Sequence, residues 1–147
     1  MMITNQVTMK TKVTSESFLP ILKSFKNKKG SPFTIQSRKT GKDFTFKVSR
    51  SEFNDNWYTH VWIEKNYLEF HHVGTYFRGC VYKNRKKVKT PAARAISYLL
   101  GNVELKNFEK LDNEIDILHT GNCISCGRTL TDVESIERGI GPVCSQL

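Results

Sequence analysis

Apolar and polar residues change rhythm three times along the chain. Phe18, Leu19, Leu22 and Phe25 in "TSESFLPILKSFKNKKG" fall close to three-to-four spacing, which predicts a first helix. Ser15 or Ser17 is its expected cap, and Pro20 fits only the first turn, so the helix should start near Ser17. Gly30 and Pro32 stop it. From Phe33 onward the period becomes two. Phe33 and Ile35 alternate with polar residues, as do Phe44, Phe46 and Val48, with "RKTGKD" as the turn between them. Trp57, Val61 and Ile63 share one strand face, and Tyr58, His60 and Trp62 share the other. "EKN" turns into "YLEFHHV", Gly74 begins "TYFRGCVY", and "KNRKK" leads to a short last strand or straight into a helix. About five antiparallel strands in a meander are predicted.

The period then returns to helical. In "TPAARAISYLLGN" Thr90 is an N-cap, Pro91 stands where its missing N–H costs nothing, and Gly101 is the expected stop. Ala92, Ala95, Ile96, Leu99 and Leu100 form a stripe suited to one face of the sheet. "VELKNFEKLDNEIDIL" reads as a connector with a helical turn. The predicted architecture is α+β: a basic domain over 1–103 with one or two packed helices, a connector over 104–118, and a small cysteine-bearing unit over 119–147.

Composition permits this and narrows the function. The 147 residues carry 38% hydrophobic residues, including nine Phe, five Tyr and two Trp, enough for one ordinary core. No run reaches the ~18 apolar residues of a membrane helix. The start lacks a signal-like apolar segment, so the expected place is the cytoplasm, where clustered cysteines more often hold metal than form disulfides. The formal net charge is +9. Residues 1–51 hold eleven Lys and Arg against Glu16 and Asp43, and residues 70–103 hold seven with no acid. The cationic surface thus belongs to the first hundred residues, and a basic face favours a polyanion. "KNRKKVK" concentrates it: Lys83, Arg85, Lys86, Lys87 and Lys89 are the expected phosphate contacts. They lie beside strands carrying Tyr76, Phe77 and Tyr82, the pairing of charge and aromatic rings that holds single strands. A solvated hairpin is the bland alternative. His71 and His72, on opposite faces of one strand, make poor joint ligands.

The chemistry-bearing stretch is "GNCISCGRTLTDVESIERGIGPVC". A C-x-x-C pair lets two thiolates reach one zinc, and Gly127 suits the turn behind it. Cys144 follows Cys126 after seventeen residues, a common gap between the halves of a small zinc site. Between them Thr131 and Glu134 form a capping-box pattern, Gly139 ends a short helix, and "GIGP" bends the chain toward Cys144. The predicted ligands are Cys123, Cys126 and Cys144. His119, four residues before Cys123, is the nearest fourth ligand, with Cys80, Asp116 or a water as alternatives. Arg128 is expected to bridge to Asp132 or Glu137, or else to bind phosphate. An H-x-E or C-x-E element before P-C-x-x-C, which a zinc deaminase needs, is absent, so the zinc is expected to be structural. No nucleotide-binding glycine loop, nucleophile elbow or H-E-x-x-H is present, and an enzyme is not the expectation.

The pattern C-x-x-C-G-R-x-L-T-x-x-x-S-x-x-x-G-I-G-P-x-C resembles a C-terminal cysteine-rich domain of unknown function found in bacteriophage and bacterial proteins. Here it falls on Cys123, Cys126, Gly127, Arg128, Leu130, Thr131, Ser135, Gly139, Ile140, Gly141, Pro142 and Cys144. The resemblance implies a zinc-ribbon-like or treble-clef-like module, attached to phage proteins of early or DNA-metabolic type. It leaves His119 outside the pattern. Two functions follow as expectations: an accessory protein binding DNA or RNA, or a phage protein that binds and redirects a host polymerase, nuclease or defence factor. A small hydrolase or nuclease is a third.

Overall fold

A computed structural model describes residues 11–23, 30–66, 69–124 and 126–141, with the side chains of Thr11, Ile21, Lys23 and Trp57 outside that description. Cys144, Pro142 and Phe25 lie outside the described residues. The architecture is α+β: a mostly antiparallel sheet with a few helices. The described strands are β1 (Thr11–Val13), β2 (Phe33–Ser37), β3 (Asp43–Phe53), β4 (Asn56–Asn66), β5 (Glu69–Phe77), β6 (Cys80–Lys83), β7 (Lys86–Lys87) and β8 (Ile115–His119). Their order is β1-β8-β2-β3-β4-β5-β6-β7, antiparallel throughout.

An antiparallel meander runs from β2 to β7 as predicted, but "TYFRGCVY" is not one strand: its first residues belong to β5 and a hairpin at Arg78–Gly79 divides it from β6. Its hairpins turn on Asn54–Asp55, Arg78–Gly79 and Asn84–Arg85, each pair with both φ positive. Such mirror-image turns match the twist of the strands they join. Gly74 does not start a strand. It sits inside β5 beside a break in register opposite Val61/Trp62. A Cβ there would lie 2.6 Å from the Tyr82 carbonyl oxygen and 2.7 Å from Val81 Cγ1, so the close approach of β6 requires glycine. The irregularity also moves Tyr76 onto the core face, where it is 4% exposed and its hydroxyl donates to Glu104.

Two strands join the meander out of order. β8 comes from the segment expected as a connector and the first residue of the expected finger. It pairs with β2 from Phe33↔His119 to Ser37↔Ile115, and with β1 through Val13↔Ile117. Short α3 (Phe108–Glu114) precedes it, and Ile115, Ile117 and His119 all point into the core.

One sheet face carries the helices. α2 (Pro91–Glu104) begins as predicted, the Thr90 Oγ1 accepting from the Ala93 N–H at 3.2 Å. It buries Ala92, Ala93, Ile96, Leu99, Leu100 and Val103. It runs through Gly101 rather than stopping there. A Cβ there would stand 3.7 Å from both the Gly79 Cα and the Tyr76 hydroxyl, ordinary contact distances, so the position tolerates a helix-forming residue. The left-handed turn after the helix falls to Lys106 instead. The first helix begins as a 3-10 turn, Ser15–Phe18, continuing into α1 (Leu19–Lys23). Neither Ser15 nor Ser17 caps it by the expected bond. Ser15 ties instead to α3: its N–H donates to Asp112 Oδ1 at 2.8 Å and its hydroxyl to the Phe108 carbonyl at 3.3 Å. Phe18 meets Phe33 edge-on, with centroids 4.9 Å apart. Among the described residues no helix is long and apolar enough to cross a membrane.

Candidate cysteine knuckle and basic interface

The C-terminal segment packs into the main core. Cys123, Ile124 and Ile140 are fully buried and Leu130 nearly so, in one cluster with Val13, Phe18 and Phe33. A backbone bond crosses the seam, Ser31 N–H to the Cys123 carbonyl at 3.3 Å, while Ile124 N–H to the Gly139 carbonyl at 2.8 Å closes the segment on itself. Gly30 lies under this seam. A Cβ on it would stand 1.7 Å from the Ile124 carbonyl oxygen.

The C-x-x-C turn is closed by the Gly127 N–H donating to the Cys123 carbonyl at 2.7 Å, with Gly127 at φ +82° as its position requires. The Cys123 N–H donates to the Arg128 carbonyl at 2.7 Å. The Gly141 N–H approaches the buried Cys123 Sγ at 3.3 Å. A buried thiol with an amide donor, and a half-buried Cys126 three residues on, are a donor pair suited to a thiophilic metal. Among the described residues no cluster of three metal-binding side chains occurs. Cys80 lies on β6, in the sheet.

His119 is fully buried, and both its ring nitrogens are engaged by backbone. Nδ1 accepts from the Gly121 N–H at 2.9 Å, which leaves the proton on Nε2 to donate to the Ile136 carbonyl at 2.7 Å. Burial lowers its pKa, opposed by the bond to Ile136. The expected fourth ligand is here a pin between β8, the turn at Gly121 and helix α4 (Val133–Arg138). Ligating a metal would cost it one of these two bonds. Helix α4 is capped by Asp132, one residue later than the predicted Thr131, its carboxylate accepting from the Ser135 N–H at 2.9 Å. That bond lowers the Asp132 pKa. Gly139, left-handed at φ +72°, ends the helix as predicted. Arg128 is exposed, and among the described residues no salt bridge joins it to Asp132 or Glu137.

The five basic residues singled out in the sequence lie around one hairpin, all exposed. Lys83 ends β6, Arg85 is in the turn, Lys86 and Lys87 form β7, and Lys89 follows. The fold adds partners the local sequence did not reveal. Lys87 and Lys89 share a cleft of about 750 Å³ with Arg78 and Arg94, on one flank of α2. The acid lining it is Glu104, already engaged by Tyr76. A second cleft of about 750 Å³ on the other flank gathers Arg38, Lys39 and Lys42 around Arg94 and Tyr98. Tyr98 separates the clefts, its hydroxyl donating to Glu114 at 2.5 Å with Lys110 over its ring. Helix periodicity on α2 marked its buried stripe but gave no sign that Arg94 would stand between two lysine-bearing walls.

Residues 116–146 match a family model described as a family of unknown function (DUF6011). The match spans most of β8 and the cysteine-bearing segment, and its description assigns no reaction. No curated protein and no solved structure matches the chain.

Proposed function

We propose that this protein is a non-enzymatic, phage-type accessory protein that binds nucleic acid in the host cytoplasm through its basic α+β surface. Its C-terminal segment is a zinc-stabilised module of zinc-ribbon or treble-clef kind. The observation that carries the reading is the cleft beside α2, where Arg78, Lys87, Lys89 and Arg94 meet and the lining carboxylate is already bonded. Four cations around a groove form a phosphate-binding surface. The hairpin residues Lys83, Arg85 and Lys86 extend it.

The zinc reading rests on Cys123 and Cys126, and on Gly141, whose N–H meets the Cys123 sulfur three positions before Cys144 in the chain. Cys144 completes the thiolate set. His119 enters as fourth ligand only by releasing Gly121 or Ile136. Zinc here would supply folding energy rather than chemistry.

The test is equilibrium binding of zinc-quantified protein to labelled single- and double-stranded DNA and RNA across a salt series. Tight binding with a steep salt slope is expected. Replacing Lys86 and Lys87 together with Gln should reduce that slope by about 1.5, as for two lost phosphate contacts. Absence of binding at low salt refutes the proposal and turns attention to capture of a host protein.

A further inference from the structure

The sheet has two faces, and among the described residues the helices cover one of them. The strand register puts Tyr58, His60 and Trp62 of β4, Phe70, His72, Thr75 and Phe77 of β5, and Tyr82 of β6 on the face opposite α2. None of these belongs to the core cluster. The aromatic ones are half-buried, and Phe77 is 45% exposed. Antiparallel sheets usually leave such a face to polar residues. Here it carries rings in mutual contact: Tyr58 to Phe77 at 6.3 Å, His60 to His72 at 5.7 Å, and Trp62 to His72 at 4.8 Å between centroids. The polar edges are turned inward. Trp62 Nε1 points at the Ser49 hydroxyl at 3.4 Å, and the two His60 nitrogens meet the hydroxyls of Ser51 at 2.5 Å and Thr75 at 3.2 Å. Those bonds fix the rings within the sheet.

Cations border these rings. Lys47 lies over the Phe70 ring at 4.5 Å, Arg78 over Phe77 at 5.1 Å, and Lys83 donates to the His72 carbonyl at 3.2 Å. Lys87 is paired with Tyr82. Glu64 is the acid placed among them by register. Residues on one face of a strand recur about every 6.7 Å, a spacing that suits bases splayed apart rather than stacked in a duplex.

We propose that this face is a stacking platform for single-stranded nucleic acid, with bases on Tyr58, Trp62, Phe77 and Tyr82 and phosphates on Lys47 and on Lys87, which stands at the sheet edge between this face and the α2 cleft. The inference rests on the nucleic-acid reading above and narrows it from any polyanion to an unpaired strand. Duplex cannot use these rings, because its bases are already stacked and present only their edges.

The experiment titrates the protein into fluorescein-labelled dT12, U12 and a 12-base-pair duplex by anisotropy at several salt concentrations. Intrinsic tryptophan fluorescence is followed with unlabelled oligomer. The wild type should bind a single strand at least tenfold more tightly than duplex, with quenching of the indole emission. Trp62→Leu and Tyr82→Leu should each weaken single-strand binding about tenfold at an unchanged salt slope, whereas Trp62→Phe keeps most of it. Circular dichroism verifies that each variant is folded, and the wild-type strand-to-duplex ratio needs no variant. Equal binding of duplex and single strand, without quenching and without effect of Trp62→Leu, overturns the platform while leaving the basic clefts as a nucleic-acid site. No binding to any oligomer at low salt overturns both.

Discussion

Replacing Gly30 with Ala should unseat the C-terminal segment, and its size follows from the contacts. The φ of Gly30 lies outside the left-handed region, so backbone preference alone would make Ala harmless or mildly stabilising. Sterics say the opposite. The added Cβ would lie 1.7 Å from the Ile124 carbonyl oxygen and 2.9 Å from its carbon, both backbone atoms that no rotamer change can move. Accommodation requires the 123–124 turn to withdraw by more than an ångström. That breaks the Ser31–Cys123 bond, worth about 1 kcal/mol. It also loosens Ile124, whose burial is worth about 2 kcal/mol. With strain, the expected loss is about 3–4 kcal/mol, which lowers the melting temperature by about 10 °C in a chain of this size. Calorimetry measures it, with amide exchange over residues 121–141 locating it. Gly41→Ala is the control: that glycine has φ +77° but nothing within 4 Å of a Cβ. Its cost should be only the left-handed strain, about 1 kcal/mol. If Gly30→Ala melts at or above the Gly41→Ala temperature, the segment is not seated as described.

Other expectations are equally concrete. Leu99→Ala, at a fully buried position of α2, should cost about 3 kcal/mol in urea unfolding with an unchanged slope; a loss below 1 kcal/mol would mean the helix is not packed on the sheet. Thr90→Ala should lower the melting temperature by about 3 °C through loss of the N-cap bond to Ala93, and an unchanged value would contradict that cap. Cys126→Ser should lose zinc and stability together, since metal binding is folding energy in small modules; full zinc content in the variant would rule out the thiolate site. For pH, burial lowers the pKa of His60, and of His72, where nearby His60 and Lys83 add to it. The unfolded chain therefore takes up protons near pH 6.5 that the folded chain refuses, and stability declines as pH falls from 7 through the depressed folded values. The advantage of wild type over His60→Gln in melting temperature should shrink between pH 7 and 5.5, and a constant advantage would count against a neutral, buried His60.

What the sequence disclosed was whatever is written locally. The cap and apolar stripe of α2, the alternation of β3 and β4, and the left-handed glycines at 127 and 139 are each set by neighbours within a turn or a strand. What it hid depended on distant contacts. β8 shows Ile115, Ile117 and His119 alternating with Asp116 and Leu118, and nothing local tells that β1 and β2 will take it between them. Tyr76 looked like an exposed partner of the basic hairpin because the irregularity beside Gly74 moves it to the core face, a shift no alternation rule sees. Gly101 looked like a stop, yet α2 runs on to Glu104 and the left-handed residue comes only at Lys106. At the cysteines, spacing marked the knuckle, while the engagement of His119 by Gly121 and Ile136 became evident only in three dimensions.

The place of β8 bears on how the chain is made. A strand from residues 115–119 separates β1 from β2, so a ribosome that has released only the first hundred residues has released a sheet that cannot close. Until β8 arrives, β2 presents an unpaired edge beside Phe33 and Ile35, the kind of edge on which other chains nucleate. Synthesis at ~5–20 residues per second keeps that edge open for seconds. During those seconds the net positive charge of the emerging residues opposes the approach of other copies to that edge. A message truncated before codon 115 would yield an aggregating product rather than a smaller working domain.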